Sequence, residues 1–239
     1  TTYSKKILTL IERPLNPVFR DNSGMVHNRR EFWERTFSDA YELAYQTYMV
    51  QGLRDAASLS GILGVPEKAD YWRKEADVFL NAMLHHPTLA LVYNGAFIKR
   101  RNVTGEIADI TYGRQKAYMP DAPVETEFSH LLNPDATYAL PVIFKLVDPK
   151  SDLAKKSLDK LESIWNSRWY GGGYERYHSS SQLDQPGPWT FGTAYIARAQ
   201  HDAGLLERSR RSLQWLNDGQ GGNAGAWFEE IPLTRSQIP

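Results

Sequence analysis

Residues 36–64, TFSDAYELAYQTYMVQGLRDAASLSGILG, decide the fold class of this chain. Apolar residues recur in this stretch at steps of three and four, which is the spacing of one face of an amphipathic helix. The pattern predicts a long helix over 36–63, ended by Gly64 as a C′ glycine. Pro66 suits the first turn of a second helix that continues to His85. The two helices form a predicted antiparallel hairpin.

The same helical pattern returns along the rest of the chain. Residues 136–146 and 153–165 form a second predicted pair, and residues 189–203 and 205–216 form a third. Residues 7–12 are typical of the end of an earlier helix. The sequence therefore predicts about seven helices arranged as antiparallel hairpins.

The spacing of these hairpins favours a closed helical toroid over a solenoid, because solenoid repeats keep a fixed period. The alternating pattern within 91–118 predicts a short β-hairpin but no separate domain, so we expect one domain over 1–239. An active site is expected in the long loops, which carry most of the glycine, proline and arginine residues. These loops are 14–33, 86–132, 166–188 and 217–239.

Composition narrows the function classes. The 239 residues are 41% hydrophobic and contain no cysteine, which excludes disulfides, thiolate zinc sites and cysteine nucleophiles. Lys and Arg number 28 and so do Asp and Glu, so we expect neither a nucleic acid nor an anionic membrane as partner. The aromatic fraction is 12%, with seven Trp and 13 Tyr. Such a content suits a core between helices or a surface on which sugars stack.

The first residues of the sequence are not expected to form a signal peptide. The chain begins TTYSKK, without an apolar stretch or an initiator methionine, and it ends abruptly at Pro239. We therefore expect a fragment or a processed form. The compartment stays open, with a cytoplasmic location favoured, and no apolar run is long enough to span a membrane.

The first candidate site is Trp33-Glu34-Arg35, at the predicted entrance of the long helix. Burial beside Trp33 would raise the pKa of Glu34, which is how a carboxylic acid is kept protonated as a general acid. The alternative is a carboxylate at a helix N-terminus that complements the macrodipole, with Arg35 as its surface partner.

Three further candidates lie in the later loops. Gly171-Gly172-Gly173 allows either close backbone approach to a ligand or a flexible loop above packed aromatics, and Arg176 and Tyr177 follow it. Trp189 follows a proline-rich loop and either contacts a ligand or packs in the core. Next comes the stretch Trp227-Phe228-Glu229-Glu230, in which one carboxylate could activate water or both could be solvated charges. No metal or cofactor motif stands out.

The order of these motifs resembles the glucoamylase-like enzymes of glycoside hydrolase family 15. That family has a Trp-Glu segment followed by a helix with an AA.LA..LG pattern and a further helix with a Trp, here Trp72. The resemblance covers about residues 20–232. The remaining matching stretches are AASLSGILG (56–64), NPDA (133–136), GGYERY (172–177), GPW (187–189) and WFE (227–229).

The resemblance implies an all-α (α/α)6 toroid, incomplete in this chain, and an inverting glycoside hydrolase that needs no cofactor. Glu34 would be the general acid and Glu229 the general base, about 6.5–9.5 Å apart across one cleft. An α-glucoside would be the substrate. The residues expected to contact this carbohydrate are Trp33, Arg35, Arg176, Tyr177, Trp189, Trp227 and Glu230.

This sequence departs from the family in three ways, so two other functions stay open. Arg35 stands where the family has an acidic residue, the stretch 232–236 lacks the family's Trp, and the family's N-terminal helices are missing. One alternative is another six-hairpin sugar enzyme, an epimerase or a lyase. The other is a non-catalytic helical scaffold that binds carbohydrate. Oligomeric state is not predicted.

Overall fold

The computed structural model describes residues 2–30, 32–33, 36–107, 134–166, 171–177 and 187–218. These residues fall in two units of the chain, 1–108 and 109–239. The organisation as one domain over 1–239 stays a prediction. Among the described residues the α-helices are α1 (Thr2–Glu12), α2 (Leu43–Leu63), α3 (Ala69–His85), α4 (Leu140–Ile143), α5 (Asp152–Leu161), α6 (Thr190–Asp202) and α7 (Leu206–Asn217). The strands are β1 (Asn28–Arg30), β2 (Thr36–Glu42), β3 (Val92–Tyr93), β4 (Ala96–Phe97) and β5 (Arg100–Asn102).

The predicted hairpin of α2 and α3 is confirmed, and these two helices pack against each other in the first unit. Gly64 ends α2 in the left-handed conformation, with φ of 78°. Its N–H donates to the Gly61 carbonyl, as expected for a C′ glycine. Trp72, Phe79 and Met83 on α3 are fully buried and supply the large side chains of this core.

The predicted start of the long helix is wrong. Residues Thr36–Glu42 form strand β2, which lies between β1 and β5 in a three-stranded antiparallel sheet, and the helix begins only at Leu43. Ala40, Tyr41 and Glu42 are buried in succession. Because consecutive side chains of a strand point to opposite faces, both faces are covered at this end of β2. Such a strand lacks the alternation of apolar and polar residues that marks a half-exposed strand. Its apolar residues therefore matched the helical spacing, and the predicted helix began too early.

The predicted short hairpin within 91–118 is present as β3 and β4. Asn94 and Gly95 connect the strands with φ of 51° and 77°. Positive φ at both central residues is what a type I′ turn requires, and Asn-Gly is the dipeptide that most readily adopts it.

The second unit contains the two other predicted pairs, with one helix shortened. Asp135 caps a 3-10 helix at Ala136–Ala139, which leads into α4. A regular helix does not continue to residue 146, because Lys145 adopts a left-handed φ of 54°. Helices α6 and α7 pack together on either side of a turn at Gly204, whose φ is 79°.

The described residues are predominantly helical, which confirms the helical class predicted from the periodicity. The three-stranded sheet is an addition that the sequence analysis missed. In the described part of the chain, no helix has the length and apolar character needed to cross a membrane.

Candidate functional site

Some of the predicted site residues lie in the described parts of the two units, and the others lie outside the described residues. Trp33 belongs to the first unit, and Arg176, Tyr177 and Trp189 belong to the second. The remaining predicted residues lie outside the described residues: Glu34, Arg35, Trp227, Glu229 and Glu230.

Trp33 is part of an aromatic group with Phe32 and Tyr48, all three partly buried. The Phe32 and Trp33 rings meet edge to face with centroids 4.9 Å apart. The Phe32 and Tyr48 rings stack at 5.9 Å with an angle of 20° between their planes. Rings that keep part of their surface open can offer an apolar face to a sugar, so this aromatic group suits the binding role predicted for Trp33.

Glu42 is the functional candidate that sequence reasoning missed. It lies at the end of β2 and immediately before α2, and it is fully buried. The N–H of Phe32 donates to both of its carboxyl oxygens, at 3.0 and 3.1 Å. The carboxylate at the start of the long helix is therefore Glu42, while Glu34 lies outside the described residues.

Two buried cationic residues lie near Glu42, Arg100 on the neighbouring strand β5 and Lys99 immediately before it. Arg100 is its direct cross-strand partner, and Lys99 accepts a hydrogen bond from the N–H of Leu43 at 2.9 Å through its carbonyl. Each cationic residue is only 2% exposed. Opposite charges in one buried region offset the cost of removing each of them from water. Within the described ranges, no group of three or more His, Asp or Glu side chains is placed to hold a metal ion.

Arg176, Tyr177 and Trp189 lie together in the second unit. The guanidinium carbon of Arg176 is 4.8 Å from the Tyr177 ring centroid and 4.6 Å from that of Trp189. A cation between two aromatic faces is held by their quadrupoles, and more strongly when water is excluded. All three residues are buried, with Arg176 and Trp189 each 7% exposed.

Backbone hydrogen bonds hold these residues in place. The N–H of Ala136 donates to the Arg176 carbonyl at 2.7 Å, and the N–H of Trp189 donates to the Tyr174 carbonyl at 2.7 Å. Asp135 and Tyr177 form an isolated antiparallel β-bridge. The stretch that bears Arg176 is therefore fixed from two sides, by the start of the 3-10 helix and by the start of α6.

The triple glycine packs its backbone against aromatic side chains. A Cβ on Gly172 would lie 2.3 Å from the Trp165 ring, and one on Gly173 would lie 2.5 Å from the Trp215 ring. Both residues have positive φ, 146° and 86°. Only glycine combines this backbone with such close contact. The contacts seen at Gly172 and Gly173 are those of a loop packed on aromatics.

Tyr174, itself fully buried, anchors this loop through a partly buried polar network. Its hydroxyl donates to Glu162 at 2.6 Å and accepts from Gln200 at 2.7 Å and from Arg211 at 2.8 Å. Burial raises the pKa of Tyr174, and the hydrogen bond to Glu162 raises it further. The phenol is therefore neutral at ordinary pH and serves as a structural link between the glycine loop and helices α6 and α7.

Replacing Tyr174 with Phe should lower the free energy of unfolding by about 1–3 kcal/mol, because Glu162 and Gln200 lose a buried partner. Urea unfolding followed by circular dichroism should show a lower midpoint with an unchanged slope. Tyr195→Phe is the control, since Tyr195 is 38% exposed and its ring meets Phe191. Equal midpoints for the two variants would contradict this role.

Comparison with known proteins places the fold among glycosidases. No family model and no curated protein matches the chain. Among solved structures, one titled "Glycosidase Wild Type" matches with a TM-score of 0.59 at 16% identity, over 85% of this chain and 44% of its own. A bacterial glucoamylase complexed with acarbose matches with a TM-score of 0.62 at 15% identity, over 97% of this chain and 34% of its own. A sialidase matches with a TM-score of 0.63 at 12% identity, over 97% of this chain and 21% of its own.

These likenesses show a shared fold, at identities too low to show more. The chain spans less than half the length of each of these structures. A variant of the first glycosidase, E335A, has been solved in complex with glucose and matches with a TM-score of 0.57. The predicted resemblance to glycosidases is thus confirmed at the level of the fold.

Proposed function

We propose that this chain belongs to an inverting glycoside hydrolase with a glucoamylase-like (α/α)6 toroid. The observation that carries the proposal is the fold likeness to glycosidases over 85–97% of the chain. Two of those structures hold glucose or acarbose, which supports a carbohydrate as the substrate here. We take an α-glucoside as the substrate class, because the resemblance to the glucoamylase-like enzymes implies it.

In this proposal two carboxyl groups carry the chemistry. Glu34 protonates the glycosidic oxygen as the leaving group departs, and Glu229 removes a proton from the attacking water. Water attacks the anomeric carbon from the face opposite the leaving group, so the configuration is inverted. The position of Trp33 in a partly open aromatic group supports a sugar-binding site next to Glu34 in the sequence.

The other predicted residues bind the sugar in this proposal. Arg176 donates hydrogen bonds to hydroxyl groups, and its fixed place between Tyr177 and Trp189 supports this role, because a preorganised donor loses little freedom on binding. The residues proposed to complete the binding surface are Arg35, Trp227 and Glu230.

The test is glycoside profiling of the full-length protein, with the anomer of the first product read by NMR. We expect hydrolysis of an α-glucoside with release of the β-anomer. A product of retained configuration would contradict the proposed inversion. Conversion of a free sugar or formation of an unsaturated product would indicate the epimerase or lyase, and binding without turnover would indicate the scaffold.

A further inference from the structure

Three buried side chains hold the backbone of the segment that precedes and includes Trp33, of which residues 26–30 and 32–33 are described. Gln46 makes two hydrogen bonds with Val26: its Nε2 donates to the Val26 carbonyl at 2.7 Å, and its Oε1 accepts from the Val26 N–H at 3.1 Å. Glu42 accepts the N–H of Phe32, as described above. The Arg100 guanidinium donates to the Asn28 carbonyl at 3.4 Å.

The geometry of these contacts indicates a role in positioning. Glu42 is the last residue of β2 and the N-cap residue of α2, and Gln46 lies in the first turn of that helix. Both are fully buried. Each side chain contacts backbone atoms of the segment and therefore fixes its main-chain conformation. The rings of Phe32 and Trp33 stay partly open.

Burying two polar side chains at this point costs free energy, so packing alone does not explain why polar residues stand here. A buried carboxyl or amide group destabilises a fold unless its hydrogen bonds are satisfied. Apolar side chains at the end of β2 and in the first turn of α2 would fill the same two positions. Gln46 instead pairs with both the backbone donor and the backbone acceptor of one residue, which holds Val26 in a single orientation.

We infer that Glu42 and Gln46 are positioning residues that set the place of the Phe32–Trp33 pair for sugar binding. This inference rests on the proposed function, in which Trp33 contacts the substrate. Glu42 acts at the backbone of Phe32, next to Trp33, and Gln46 fixes the other end of the segment. Neither residue touches the substrate.

Hydrogen exchange tests directly whether Glu42 fixes the backbone at Phe32, and it requires no activity measurement. In the full-length protein the Phe32 amide should be protected, and Glu42→Leu should speed its exchange by at least about tenfold, because the acceptor is lost. Glu42→Gln keeps one acceptor oxygen and should exchange at an intermediate rate. Unchanged exchange of the Phe32 amide in Glu42→Leu would overturn the inference.

Kinetics on the best glycoside from the profile test the link to Trp33. Glu42→Leu should lower kcat/KM by about 10- to 100-fold, mainly through a higher KM, because a displaced ring binds the sugar less well. In a Trp33→Leu background the same substitution should have little further effect, since Glu42 acts through that ring. Gln46→Met, which keeps the shape and removes both hydrogen bonds, should behave in the same way and serves if Glu42→Leu fails to fold.

Leu53→Ala is the matched control, because Leu53 is on the same helix and 4% exposed, away from the segment. It should lower the Tm and leave KM unchanged. Additive effects of Glu42→Leu and Trp33→Leu on KM, or a fall in kcat alone, would overturn the inference while the wild type stays active. A wild type that hydrolyses no glycoside would instead overturn the proposed function, and with it the link to sugar binding.

Discussion

Replacing Glu34 with Gln should slow hydrolysis of a methyl glycoside by about 10²- to 10⁴-fold, because an amide cannot supply the proton that the leaving oxygen needs. The same variant should lose less than about tenfold on the corresponding glycosyl fluoride, since fluoride departs with little protonation. Initial rates on both substrates, measured with the full-length protein, check this expectation.

Glu229→Gln and Glu230→Gln are the matched comparisons. Glu229→Gln should slow both substrates, because the attacking water requires a base whichever group leaves. Glu230→Gln should change either rate by little. Equal losses on both substrates for Glu34→Gln would remove its assignment as the acid. Full activity of Glu229→Gln would move the base to Glu230 or end the glucoamylase-like interpretation.

Periodicity was sufficient to predict most of the helices, and two of their C-terminal ends are coded locally by a glycine. Gly64 and Gly204 both adopt the left-handed φ that their position after an apolar run predicted. The same local reasoning failed at β2, whose partners β1 and β5 come from other parts of the chain. The end of β2 is buried on both faces and shows no alternation at Ala40, Tyr41 and Glu42, so its sequence alone extended the helix.

Candidate site residues could be predicted where the residue type itself indicates the chemistry. They could not be predicted where the role depends on contacts made only in the folded chain. Arg176 and Trp189 stood out as a cation and an aromatic residue in proline- and glycine-rich loops, and the structure brings them within 4.6 Å. Glu42 did not stand out, because its partner is the backbone N–H of Phe32, and a backbone group leaves no mark in the sequence. The one available signal was a Glu and a Gln four residues apart inside an apolar stripe, which predicts two buried polar groups with fixed partners.

The second large effect is expected at Gly172. Gly172→Ala should lower the free energy of unfolding by about 3–5 kcal/mol, because the new methyl group would lie 2.3 Å from the Trp165 ring and φ is 146°. Trp165 has little freedom to move away, since its ring packs edge to face on Tyr174 at 4.9 Å and beneath Arg211 at 3.9 Å. Urea unfolding midpoints measure the loss.

Gly171→Ala separates the steric conflict from the backbone conformation. Gly171 also has a positive φ, 70°, but a Cβ there meets no atom within 4 Å, so its replacement should cost only about 1–2 kcal/mol. If the difference arises at Trp165, Gly172→Ala in a Trp165→Leu background should cost little more than Gly171→Ala does. Similar losses for the two single variants would mean that the glycine loop leaves the Trp165 ring room to shift. The glycines would then serve backbone conformation alone.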